Sequence, residues 1–131
     1  MAKSDKKILE PNWLDTPENH DYPAAKSYLS LLLHDDDVNH LVDKLDKAET
    51  THFKAKDILR ASRLDLLPKE NLHVAKDLKK IAKGTALSPV LLVRGDLYHQ
   101  VPLTIADGYH RVCASYWVDE NTDIPVKIVD L

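Results

Sequence analysis

Cysteine, glycine and phenylalanine are scarce in this chain, and long apolar runs are missing altogether. Its 131 residues include one Cys, three Gly and one Phe. The lone Cys113 excludes an internal disulfide and suits a reducing compartment, so a cytoplasmic protein is expected. No apolar stretch approaches the roughly 20 residues needed to cross a bilayer, so no membrane role is expected. The opening Met-Ala-Lys-Ser-Asp-Lys-Lys lacks the apolar core of a secretory signal. Charge of one sign is also lacking. With 18 Lys and Arg against 21 Asp and Glu, the net charge of -3 argues against a protein that grips nucleic acid with its whole surface. There is no internal repeat and no low-complexity tract.

What remains is globular: 44% hydrophobic and 30% charged residues in a length that suits one ordinary domain with a real core. The charge is uneven. Nine Lys or Arg fall between residues 54 and 83 (Lys54, Lys56, Arg60, Arg63, Lys69, Lys76, Lys79, Lys80 and Lys83), which keeps a local anion site in view.

Residues 1–20, with Pro11 and Pro17 and no sustained period, read as an irregular arm. Residues 21–63 read as a helical segment. Asp21 before Pro23 opens a helix over Ala24 to Leu33. Asp36 or Asp37 opens a second, in which Val38, Leu41, Val42 and Leu45 recur at helical spacing to about Lys47. A third is expected over Phe53 to Ser62 with Phe53, Ile58 and Leu59 inward.

Residues 64–131 read differently. Leu64 to Leu67 is extended and stops at Pro68. Asn71 is a good N-cap for a helix from Leu72 to Lys83, with Val74, Ala75, Leu78, Ile81 and Ala82 as its core face and Gly84 as its stop. Pro89 to Val93 is a short apolar run, hence a buried strand, and Leu103 to Ala106 returns as an antiparallel partner. A helix after Gly108 turns Val112, Cys113, Tyr116 and Trp117 inward, and Ile124 to Val129 closes as a strand. The expected class is α+β: a small mixed sheet packed with helices and preceded by an α-helical segment, all in one compact unit.

The chemistry concentrates in Ala106-Asp107-Gly108-Tyr109-His110-Arg111. A strand ends at Asp-Gly and turns directly into a helix that begins Tyr-His-Arg. A helix start exposes backbone N–H groups without intrahelical partners and carries about half a positive charge. An imidazole and a guanidinium at the same place favour phosphate oxygens. Asp-Gly is also a strong turn signal by itself.

From about Leu64 to Leu131 the chain resembles the ParB/sulfiredoxin-like superfamily. The shared pieces, in order, are Leu66-Leu67-Pro68, the helix Val74 to Ile81, Pro89 to Val93, Leu103 to Ala106, Asp107 to Arg111, and Ile124-Pro125-Val126-Lys127-Ile128-Val129. The resemblance implies nucleotide phosphate binding at Gly108, His110 and Arg111, with Tyr109 shaping the pocket, and a role in the same pocket for His73, Lys76 and Lys80. Those three share one helix face, as does any ordinary solvated Lys-rich surface. Sulfiredoxins carry a reactive Cys where Tyr109 stands, so their chemistry is excluded. The Asp-Gly-x-His-Arg form is closest to the ParB-like free serine kinases. That resemblance implies Glu70 as general base, on a loose match. Asp107 would hold a Mg²⁺ that bridges phosphates of ATP, ADP or CTP.

Three function classes follow. The first is a phosphotransferase or phosphohydrolase using a Mg-nucleotide. The second is a non-catalytic nucleotide-sensing or partner-docking module, with the N-terminal helices as its protein-binding surface or lid. The third is a DNA-binding or nuclease protein. Net acidity and the lack of a helix-turn-helix before Leu131 count against it, and the basic stretch 54–83 counts for it. The run His34-Asp35-Asp36-Asp37 with His40 has no closed-site metal spacing and reads as acids favouring a helix start.

Overall fold

The computed structural model describes residues 10–131. The run Val90-Leu91-Leu92-Val93 organises it, because all four side chains are buried. A strand alternates its side chains between two faces, so a fully apolar strand needs cover on both. The cover comes from different parts of the sequence. One core joins Val90 and Leu92 to the last three helices, and the other joins Leu91 and Val93 to the first two.

The elements in order are α1 (Asp21–Leu29), α2 (Asp35–Lys47), β1 (Thr51–Lys54), α3 (Ala55–Ser62), α4 (Leu72–Ala82), β2 (Val90–Val93), β3 (Thr104–Asp107), α5 (Tyr109–Val118) and β4 (Asp123–Val129). The class is mixed α and β. The sheet order is β1-β4-β2-β3, with β4 parallel to β2 and the two outer pairs antiparallel. Helices α1 and α2 cover one face, burying Ala25, Leu29, Val38, Leu41 and Leu45 with Leu91, Val93, Ala106 and Val129. Helices α3, α4 and α5 cover the other, where Ile58, Val74, Ile81, Val112 and Cys113 meet Val90, Leu92, Ile105, Ile124 and Val126. No helix of the described residues is long and apolar enough to cross a membrane.

Several expectations are corrected. The helix expected from Phe53 begins at Ala55, and Thr51–Lys54 is an exposed edge strand paired with β4. Phe53 is therefore 39% exposed rather than inward. The strand owes its existence to a partner some 70 residues away, which local periodicity does not register. The segment read as wholly helical thus contributes to the sheet. Helix α1 stops at Leu29, leaving Leu31 and Leu32 exposed, and α2 starts at Asp35, just before the Asp36 or Asp37 expected. Trp117 is at the surface, its indole N–H donating to the Leu67 carbonyl at 2.8 Å, and Ala114 and Ser115 are buried on α5 instead. Ala82 is exposed, while Val74 and Ile81 carry the core face of α4.

Of the arm, residues 1–9 lie outside the described residues. Residues 10–20 are irregular but docked: Trp13 bridges Leu87, and Pro11 and Pro17 are buried. Lys127 shows how a charge survives in a buried strand. Its stem crosses beneath α2, its ammonium donates to the Asp46 carbonyl at 2.8 Å near the helix C-terminus, and it lies 5.9 Å from the Tyr22 ring.

Asn71 caps α4 as expected, accepting from the amides of His73 and Val74 at 3.0 and 3.1 Å. Asn71→Ala should cost about 1 kcal/mol of folding stability by urea denaturation, the usual worth of such a cap. An unchanged midpoint would mean that those two amides find other partners.

Candidate functional site

The turn from β3 into α5 lies against the start of β2. Gly108 holds φ 114°, a left-handed conformation, and a Cβ there would stand 2.8 Å from Cγ2 of Val90. Only glycine permits both the backbone angle and the approach. Helix α5 then begins with no side-chain cap. Its first internal bond runs from the Val112 amide to the Gly108 carbonyl at 3.0 Å, so the amides of Tyr109, His110 and Arg111 precede the ladder.

From this turn the side chains diverge. Arg111 folds back over its own turn, donating from Nη2 to Asp107 at 3.2 Å and to the Pro89 carbonyl at 3.3 Å. Its Nε is buried and has no protein partner. His110 reaches across to α4, where its ring lies 4.7 Å from that of His73. The Tyr109 ring lies 5.6 Å from that of His110, while its hydroxyl donates to the Asp65 carbonyl at 2.6 Å.

Helices α4 and α5 pack together, and the space between them is a cavity of about 230 Å³. It is lined by His73, Lys76, Asp77, Lys80, Asp107, Gly108, His110 and Arg111. Seven of the nine residues singled out in the sequence therefore meet in one place, from two segments some 30 residues apart. The other two do not. Tyr109 braces the extended segment at Asp65, and Glu70 is exposed in the turn before α4 and is absent from the lining.

Two carboxylates were missed. Asp77 sits one turn from both His73 and Lys80, and it has no hydrogen bond or ion pair among the described residues. Burial raises its pKa, against the pull of Arg111, Lys80, His110 and His73. The signal was its position: it is the one acid on the helix face that carries His73, Lys76 and Lys80. Asp21, at the start of α1, is 2% exposed and accepts the Glu18 amide at 2.9 Å. It comes against Asp107 across the sheet edge, a pairing that no local pattern could show.

Asp107 is accordingly balanced between opposing influences. Burial raises its pKa first, the Arg111 guanidinium lowers it through charge and hydrogen bonding, and the Asp21 carboxyl raises it again. Asp77 and Asp107 are the hard oxygen donors of the cavity. No group of three or more His, Cys, Asp or Glu among the described residues is placed to hold a metal by itself. The donor set fits a Mg²⁺ that arrives with phosphate oxygens, since that ion commonly takes one or two carboxylates and completes its shell from water and substrate.

The imidazole of His110 is depressed below the ordinary 6.5, first by burial, then by His73 and Arg111, with Asp77 opposing. Its neutral form is thus favoured on folding. Between the folded value and 6.5 the unfolded chain binds more protons, so this contribution to stability is present above that window and is lost as pH falls through it. An anion in the cavity adds negative charge and reverses the shift. NMR titration of the His110 ring should give a midpoint below 6.5 that rises on adding inorganic phosphate. A midpoint indifferent to phosphate would mean that the cavity takes no anion. Compared with known protein families, curated proteins and solved structures, the chain matches none.

Proposed function

We propose that the chain is a ParB-like nucleotide-binding protein that holds a phosphate chain between α4 and α5 and transfers or hydrolyses the terminal phosphoryl group with Mg²⁺. The observation that carries this reading is the convergence of Lys76, Lys80, His73, His110 and Arg111 on the uncapped start of α5. A cavity of about 230 Å³ is smaller than the roughly 300–1,000 Å³ of typical small-molecule pockets. It suits phosphates, with sugar and base lying outside on the surface.

In this reading the three free amides, the lysines and the Arg111 guanidinium neutralise phosphate charge. Positioning and charge stabilisation supply most of the rate in phosphoryl transfer, so a fixed guanidinium is worth more than a mobile one. Arg111 is fixed by Asp107 and Pro89. Mg²⁺ shared with Asp107 would offset the developing charge. Asp77, unpaired in the cavity, is the carboxylate placed to accept the proton of an attacking hydroxyl or water. Glu70 lies outside the cavity and is not given that part.

The second reading is a nucleotide-sensing module without turnover. It is favoured by the engagement of Asp107 with Arg111, which leaves a single unpaired carboxylate. A DNA-binding role gains little from the basic stretch: it is spread over β1, α3 and α4, and Lys76 and Lys80 point into the cavity.

Calorimetry with ATP, ADP and CTP in the presence of Mg²⁺ tests the proposal. Lys80→Ala should weaken binding several-fold and Arg111→Ala should remove it, with thermal melts confirming that both variants fold. Lys83→Ala, exposed just past α4, should bind normally. Absence of binding by all three nucleotides, or equal losses at residues 80 and 83, would overturn it. Binding without phosphate release or transfer would select the sensing module.

A further inference from the structure

A second cavity, larger than the proposed anion site, lies elsewhere in the fold. It is a groove of about 580 Å³ between α3 and the β2–β3 connection. Its floor is apolar, with Ile58, Leu92 and Ile128, and its rim carries Arg60, Arg63 and Arg94 against the single acid Asp57. Beside it the β2–β3 connection exposes Leu97 at 85% and Val101 at 51%. Gly95 lets that connection close, since a Cβ there would stand 2.3 Å from the Val101 carbonyl oxygen. Arg60 and Arg94 make exposed pairs with Asp57 and Asp130, of the kind that contribute little and exchange readily. Arg63 has no acidic partner among the described residues. An apolar groove with a cationic rim selects an occupant with apolar anchors beside acids.

The same chain carries such a segment. After α1 ends, Leu31 and Leu32 are 82% and 55% exposed, and the first turn of α2 follows with exposed Asp35, Asp36 and Asp37. None of these acids is paired among the described residues. Residues 1–9, with Lys3, Lys6 and Lys7 against Asp5, share the sign of the rim in sequence.

The fold places knob and groove at one end of the sheet on opposite faces. A short connection joins the end of α2 to β1 at Thr51, which pairs with Val126 of β4, and Lys127 reaches Asp46. Lys44, nearer the start of α2, reaches the carbonyl of Asp130. Helix α2 therefore runs antiparallel to β4, and its acidic start projects past the C-terminal end of that strand. Arg94 leaves β2 at this same end, its amide donating to Val129. A two-fold axis at that end satisfies both contacts at once, as an isologous interface requires.

We propose that two copies of the chain pair end to end, Leu31 and Leu32 of each entering the groove of the other while Asp35–Asp37 meet Arg60, Arg63 and Arg94. This pairing is independent of nucleotide binding, because neither patch includes a residue of the anion cavity. Its charge component weakens with salt.

Sedimentation velocity over a range of concentrations, at low and high salt, tests it on the full chain. A concentration-dependent dimer is expected at low salt, with a weaker one at high salt. Arg63→Glu and Asp36→Arg should each raise the dissociation constant about tenfold or more, because like charges then face each other. An equimolar mixture of the two variants should recover association, since one contact is then native and the other has its charges exchanged. Leu31→Ser should weaken the dimer without changing charge, and circular dichroism should show every variant folded. A monomer under all conditions would overturn the proposal. So would a dimer that these substitutions leave intact, or two weakened variants that do not rescue each other.

Discussion

The close approach of Gly108 to Val90 is the contact on which the candidate site depends. It lets the β3–α5 turn sit directly on β2, so that Arg111, one turn into the helix, meets both Asp107 and the carbonyl of Pro89. A side chain at residue 108 would move the turn outward and separate these groups. The start of α5 would then no longer face α4. The cavity between α4 and α5 is thus set by a backbone packing requirement as much as by its cations.

The sheet supplies the rigidity. Because β2 is buried on both faces, the elements before and after the turn cannot shift independently. Helices α1 and α2 close one face, α3 to α5 close the other, and the α4–α5 cavity and the arginine-rimmed groove are left in different places. The acid pair Asp21 and Asp107 links the two layers, since α1 delivers a buried carboxyl to the strand end that carries the turn.

Much of this was legible along the chain. The apolar run at residues 90–93, the Asn71 cap, the Gly84 stop and the antiparallel return at residues 104–107 each depend on neighbours in sequence, and each occurs where those signals place it. His73, Lys76 and Lys80 share a helix face by spacing alone. Features made by distant partners were not legible. The edge strand β1 forms because β4 offers unpaired backbone groups, and Phe53 is turned outward as a result. Tyr109 and Trp117 are drawn away by the carbonyls of Asp65 and Leu67, acceptors that only the extended segment brings near.

The amino-acid order by itself determined which segments are helix and which are buried strand, and where the Asp-Gly turn into α5 lies. Those properties follow from periodicity, capping and the freedom of glycine, all of which act within a few residues. Tertiary structure alone decided that α4 faces α5, that Asp77 joins the site with Asp21 behind Asp107, and that Glu70 stands outside it. Side-chain convergence depends on how helices pack across a sheet, and packing is settled by volumes and burial on both faces at once.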